Sequence, residues 1–284
     1  MNMPARASRR MLPGMLAALA ATAGIAQAQR PASAVAPEEL PTPPVDAIRF
    51  VPPDERTIPD SPLGDMIRFG RDVFVETQRY AKKYVGNGLN CVNCHLDAGR
   101  RAGSGPLWAA YVAYPAFRTK NQQINTYEQR LDGCFRFSMN GTMPPADSAV
   151  VVGLVSYSYW LATGAPVGAQ LAGRGFPEVP QPALAPDAAR GAEVYGTHCV
   201  ACHGADGGGL KAQGAFVFPP LWGRESYNAG AGMHRINTAA AFIKANMPQG
   251  QGGTLSDQEA WDVAAFVNKH PRPADPRVRK GPAK

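Results

Sequence analysis

The sequence predicts an all-α protein made of two small tandem domains, and three observations carry that prediction. The pattern Cys-x-x-Cys-His occurs twice, at Cys91–His95 and Cys199–His203. Each copy lies between an opening and a closing stretch of helical periodicity. Two proline-rich segments divide the chain where domain boundaries would fall. At 284 residues there is room for two domains of ordinary size, each with its own core.

Taken in order, residues 1–28 have the form of an export signal. Arg6, Arg9 and Arg10 make a basic start, Met11 to Ile25 an apolar run, and Ala26-Gln27-Ala28 a small-x-small cleavage site. The run is too short to span a bilayer, which takes about twenty residues, and no later stretch is long and apolar enough. A periplasmic protein without a permanent membrane span is therefore expected. Residues 29–62 form an extended arm, with nine prolines between 31 and 62.

The first domain is placed at 63–172. Asp65 to Tyr84 carries Ile67, Val73, Phe74, Tyr80 and Ala81 at roughly helical spacing, and Ser148 to Thr163 is the closing helix. Residues 173–186 are a linker containing Pro177, Pro180, Pro182 and Pro186. The second domain, 187–271, opens with Asp187 to Tyr195 and closes with Asp257 to Lys269. Ser256 is the expected cap and Pro271 the stop. Residues 272–284 form a tail. The shared plan reads as a distant internal duplication.

The formal charge of +7 includes the three arginines of the signal. What remains is a modest positive balance, suited to small anions or acidic partners. No basic stripe or recognition motif supports nucleic-acid binding.

Four of the five cysteines belong to the two motifs. The spacing lets both thiols add to the vinyl groups of one haem while the histidine reaches the iron from the same side. Disulfides or a redox Cys-x-x-Cys pair would leave His95 and His203 unexplained, and the βαβ pattern typical of the latter is absent. Two covalently attached haems c are expected, through Cys91, Cys94 and His95 and through Cys199, Cys202 and His203.

Each iron then needs a sixth ligand. In the second domain this is Met247, just before the closing helix, where a thioether raises the reduction potential. Met233 and His234 lie earlier, in a glycine-rich loop, and His270 ends the last helix as a solvated residue. The first domain offers two sulfur ligands. Cys134 is left without a partner in an exported chain, and a metal would hold it as thiolate. Met143, in Thr142-Met143-Pro144-Pro145, is the other, and the residues alone leave both open.

A resemblance bears on this choice. The segments Cys91 to Gly99, Asn125 to Arg130, Gly133 to Gly141, Gly232 to Arg235, Phe242 to Pro248 and Gly252 to Trp261 resemble the dihaem thiosulfate dehydrogenases. The match runs from about residue 60 to 272. It implies a catalytic haem ligated by His95 and Cys134, and an electron-exporting haem ligated by His203 and Met247. Where some relatives carry lysine directly before the distal methionine, this chain has Asn246, so a lysine ligand exchange is not expected.

The chemistry so implied joins two thiosulfates into tetrathionate and passes two electrons to an acceptor such as another periplasmic cytochrome c. Two like-charged anions must be held together, which demands fixed positive charge. Arg118, Lys120, Arg130 and Arg136 cluster in sequence around Cys134. Arginine suits a sulfonate because it donates two parallel hydrogen bonds. Arg130 precedes Cys134 by four residues, and Ser138 follows it by four and could donate one more. A dihaem carrier with no substrate of its own, and the same site run as a tetrathionate reductase, are the alternatives.

Overall fold

In the computed structural model, residues 47–119 and 121–278 are described, and all of them fall in one compact unit. The signal region 1–28, most of the arm, Lys120 and the end of the tail lie outside the described residues.

Six helices of seven or more residues organise the unit: α1 (Pro62–Val75), α2 (Tyr127–Gly133), α3 (Ala149–Leu161), α4 (Ala188–His198), α5 (Ile236–Asn246) and α6 (Asp257–Lys269). Their starts follow the sequence signals. Ser61, Thr126, Ser148, Asp187 and Ser256 each accept a hydrogen bond from a first-turn amide, and Thr126 and Ser256 complete capping boxes with Gln129 and Glu259. The opening helix is shorter than its periodicity suggests. It stops at Glu76, and Thr77–Tyr80 and Lys82–Tyr84 continue only as separate turns.

Within each half, the helix before the haem motif crosses the closing helix. In the first half α1 packs on α3, and an added Cβ on Gly70 would sit 1.9 Å from the Gly153 carbonyl oxygen. In the second half α4 packs on α6, and a Cβ on Gly191 would sit 2.0 Å from the Asp262 carbonyl oxygen. Only glycine permits such backbone approach. The same device recurs at the corresponding crossing in both halves.

The first half packs around Ile67, Val73, Phe74, Trp108, Tyr157 and Leu161, all nearly inaccessible. Smaller clusters, Ala239–Ala240–Trp261–Ala264 and Tyr195–Val263–Val267, serve the second half. Tyr227 and Ala231 of the second half join the first-half core, so the halves share apolar surface.

The chain is not purely helical. Two antiparallel hairpins are present, β1 (Ala116–Arg118) with β2 (Gln123–Asn125), and β3 (Leu210–Ala212) with β4 (Ala215–Phe218). Both occupy the loop-rich stretches between motif and closing helix, where no long alternating pattern announces a strand.

The proline-rich segments are tied down. Ile48 pairs with Leu171, and Phe50 meets Trp108 with ring centroids 5.4 Å apart. In the linker, Gly173 and Gly175 accept from Gly103 and Gly105, and Pro180 accepts from the Trp261 indole.

Candidate functional site

Both Cys-x-x-Cys-His motifs open onto cavities. The larger cavity, about 330 Å³, is lined by Cys199, Cys202, His203 and Met247 among mostly apolar side chains. The smaller, about 90 Å³, is lined by Cys91, Cys94, His95, Arg130, Cys134 and Ser138. Leu89 and Cys94 line both, so one wall separates the two sites.

The motif histidines are oriented alike. His95 Nδ1 lies 2.7 Å from the Gly105 carbonyl oxygen, and His203 Nδ1 lies 2.9 Å from that of Pro219. A carbonyl can only accept, so each Nδ1 carries the proton and each Nε2 keeps its lone pair for a metal. The loop that supplies Gly105 approaches so closely that a Cβ there would come 3.0 Å from the His95 ring.

Opposite His95 stands Cys134, at the end of α2, where the helix widens into a π-helical turn over Cys134–Ser138. Such turns are frequent at functional sites. Arg130, one turn earlier, donates from Nη1 to Cys134 Sγ at 3.1 Å. Burial raises the Cys134 thiol, but the Arg130 charge and the His95 ring outweigh it and bring the value down to about 7. Three of the motif cysteines behave oppositely: burial pushes Cys91 up to about 12 and Cys94 and Cys199 to about 11. Within one cavity, then, Cys134 is the sulfur set up to be a thiolate.

Of the other expected site residues, Ser138 lines this cavity and Arg118 does not. Arg118 is exposed on β1 and donates to the Tyr114 hydroxyl at 3.0 Å. Arg136 is also exposed, paired with Asp132 at 3.5 Å. Met143 packs against the first-half core and is not among the residues lining the cavity. Met233 lines the second cavity beside Met247. His270 departs from expectation: it stacks on Trp222 with centroids 4.0 Å apart, and its Nε2 is buried. The aromatic pocket of Trp222 and Phe266 draws it inward.

Haem c fits these residues. Each cavity is lined by two cysteines outside any disulfide, a histidine whose Nδ1 is held by a carbonyl, and a further sulfur donor, Cys134 in one and Met247 in the other. Arg272 lies over the ring of Tyr227, which lines the second cavity, and donates to the Leu221 and Val267 carbonyl oxygens, its Nε buried without a partner. His95 with Cys134 and His203 with Met247 would hold the irons. Together, motif, imidazole and helix plan define a c-type cytochrome.

Comparison with known proteins agrees. Residues 186–267 match the family described as cytochrome c oxidase, cbb3-type, subunit III. The thiosulfate dehydrogenase of Stutzerimonas stutzeri is 59% identical over 82% of this chain and 76% of its own. That of Thiomonas intermedia is 57% identical over 81% and 73%, and that of Allochromatium vinosum 42% over 83% and 87%. A solved thiosulfate dehydrogenase from Marichromatium purpuratum, in its as-isolated form, superposes with a TM-score of 0.79 at 50% identity. It covers 82% of this chain, which spans about half of that longer one (51%). The chain belongs to the thiosulfate dehydrogenase family of c-type cytochromes, and it is an oxidoreductase.

Sequence reasoning missed the Gly105 and Pro219 carbonyls, the shared Leu89–Cys94 wall, and the asparagines around Cys134. Backbone carbonyls carry no residue signature, and Asn87 and Asn228 are both distant in sequence from Cys134.

Proposed function

We propose that this chain is a periplasmic dihaem cytochrome c that oxidises two thiosulfates to tetrathionate and hands two electrons to an external acceptor, such as another cytochrome c. The observation that carries this reading is the Arg130–Cys134 contact in the same cavity as His95. The halves are read as two domains, each with one haem. Bound haem c supplies the redox chemistry, taking up and passing on the electrons that sulfur–sulfur bond formation releases.

The residues perform the remainder. Arg130 stabilises the Cys134 thiolate and, with Ser138, offers hydrogen bonds to a sulfonate. The thiolate joins the terminal sulfur of thiosulfate: Cys–S⁻ and S₂O₃²⁻ become Cys–S–S–SO₃⁻ and two electrons. A second thiosulfate attacks the sulfur bound to the sulfonate, forming tetrathionate and releasing Cys134 as thiolate. No proton is consumed, and the charge balances at each stage. Arg130 offsets the repulsion between the anions, which is the main barrier to bringing them together. The wall shared by the two cavities supports passage of electrons from the first half to the second.

The test is turnover of thiosulfate by purified holoprotein with ferricyanide as acceptor, with tetrathionate measured as product. Ferricyanide reduction with tetrathionate at half the thiosulfate consumed is expected. Absence of turnover would leave an electron carrier.

A further inference from the structure

The π-helical turn that carries Cys134 ends inside the protein, and a helix end leaves its last carbonyls without intrahelical partners. Here each carbonyl from 134 to 139 is accounted for. Cys134 and Phe135 accept from Met139 N and Gly141 N, at 3.0 and 2.8 Å. Met139 accepts from Gly86 N at 2.8 Å, and Ser138 from Asn87 Nδ2 at 2.8 Å. The remaining two are satisfied from the other half of the molecule. Arg136 accepts from Asn228 Nδ2 at 2.9 Å, and Phe137 from Asn228 N at 3.1 Å.

Asn228 is itself fixed. It is 3% exposed, and its Oδ1 accepts from Gly230 N at 2.9 Å. Gly230 is pressed so close that an added Cβ would stand 2.8 Å from the Phe137 ring and 2.7 Å from Asp275 Oδ1. On the near side, Asn87, 1% exposed, bridges the Ser138 and Ser226 carbonyls. Asn140, directly after the turn and left-handed at φ 52°, reaches the same Ser226 oxygen at 2.7 Å. The loop 226–230 is thus a cap supplied by the second half to the helix end that presents Cys134.

We propose that Asn228 is a positioning residue for Cys134: by capping the π-helical turn it fixes the distance and direction of the thiolate toward His95 and Arg130. This rests on the reading of Cys134 as the sulfur donor of the first site. The second half would then hold the catalytic thiolate in place besides carrying the electron outlet. A buried cap of this kind is exacting, because a displacement of about 1 Å at a reacting group can cost on the order of a hundredfold in rate.

The test uses Asn228→Asp in the full holoprotein. The aspartate keeps an acceptor for Gly230 N but sets a carboxylate oxygen against the Arg136 carbonyl in place of a donor. Low-temperature electron paramagnetic resonance should show part of the first haem without its low-spin histidine/thiolate signal. The second haem's near-infrared methionine band should be unchanged, and kcat should fall about tenfold or more. A wild-type thiolate signal and kcat would overturn the proposal. So would equal loss of both haem signatures, which marks general destabilisation. If Asn228→Asp does not fold, Gly230→Ala displaces Phe137 by its Cβ and must give the same selective loss, or the proposal fails. Cys134→Ala serves as reference: if it keeps the signal, the reading of Cys134 as ligand falls, and the cap has no ligand to position.

Discussion

The Arg130 guanidinium donates to the Cys134 sulfur at 3.1 Å across one helical turn, and this pair distinguishes Cys134 from every other cysteine in the chain. The four-residue spacing is what α2 dictates, since residues i and i+4 share a face. The Cys134 charge in turn holds the Arg130 proton more tightly than usual. Replacing Arg130 by alanine removes the donor to Cys134 Sγ and, in the proposed reaction, the partner of the sulfonate. Thiosulfate kcat/KM should fall by about 10² to 10³, with haem content unchanged. Arg130→Lys should recover only part, since a single ammonium lacks the two-pronged donor geometry. Steady-state kinetics with ferricyanide decide this, and an unimpaired alanine variant would remove Arg130 from the mechanism.

Cys134→Met and Cys134→Gly should keep both haems attached, because neither thioether linkage is touched. The low-spin histidine/thiolate signal should vanish, and thiosulfate oxidation should drop by about two or more orders of magnitude. Full activity in the methionine variant would restore Met143 as the candidate ligand.

Two haems per chain are expected by pyridine haemochrome, and the colour should remain on the band in denaturing electrophoresis. The Cys199→Ala/Cys202→Ala double variant should bring the ratio to one. In the intact protein, Met247→Ala should abolish the thioether–ferric charge-transfer band in the near infrared. Persistence of that band would pass the ligand role to Met233, which lines the same cavity.

Stability in acid should depend on Asp262. Its side chain is 2% exposed and takes two hydrogen bonds from Arg190, at 2.7 and 2.8 Å, and one from Asp187 N at 2.7 Å. Burial raises this carboxyl, but the Arg190 and Asp187 bonds outweigh it, so its folded value lies below the ordinary 3.8. A lowered carboxyl contributes stability that is fully present above about pH 4 and is lost as pH falls through the folded value. Asp262→Asn should therefore lower the melting temperature at neutral pH and narrow its gap to wild type below pH 4. Breaking a buried pair costs about 3–5 kcal/mol. Arg190 is 40% exposed, so solvent screening keeps the loss below that of a fully buried pair. A gap independent of pH would show that packing, not the ion pair, is responsible.

Much of this protein was determined by local chemistry and is legible in the sequence. The residues expected to attach haem follow from covalent spacing, and the helix starts at Ser148, Asp187 and Ser256 from side chains that satisfy their own first turns, whereas the first helix begins at Pro62, three residues before the start its periodicity suggests. Arg130 and Ser138 follow from their offsets to Cys134. Tertiary structure decided what depends on long-range approach. It set Cys134 rather than Met143 in the cavity with His95, and turned Arg118 away from it although both arginines flank Cys134 in sequence. It drew His270 onto Trp222 and brought Asn228 to the helix end of the other half. The physical reason is that a cap, a covalent motif or a turn residue is read from neighbours along the chain. A cavity wall or a carbonyl's distant partner exists only once the helix crossings at Gly70–Gly153 and Gly191–Asp262 have brought the segments together.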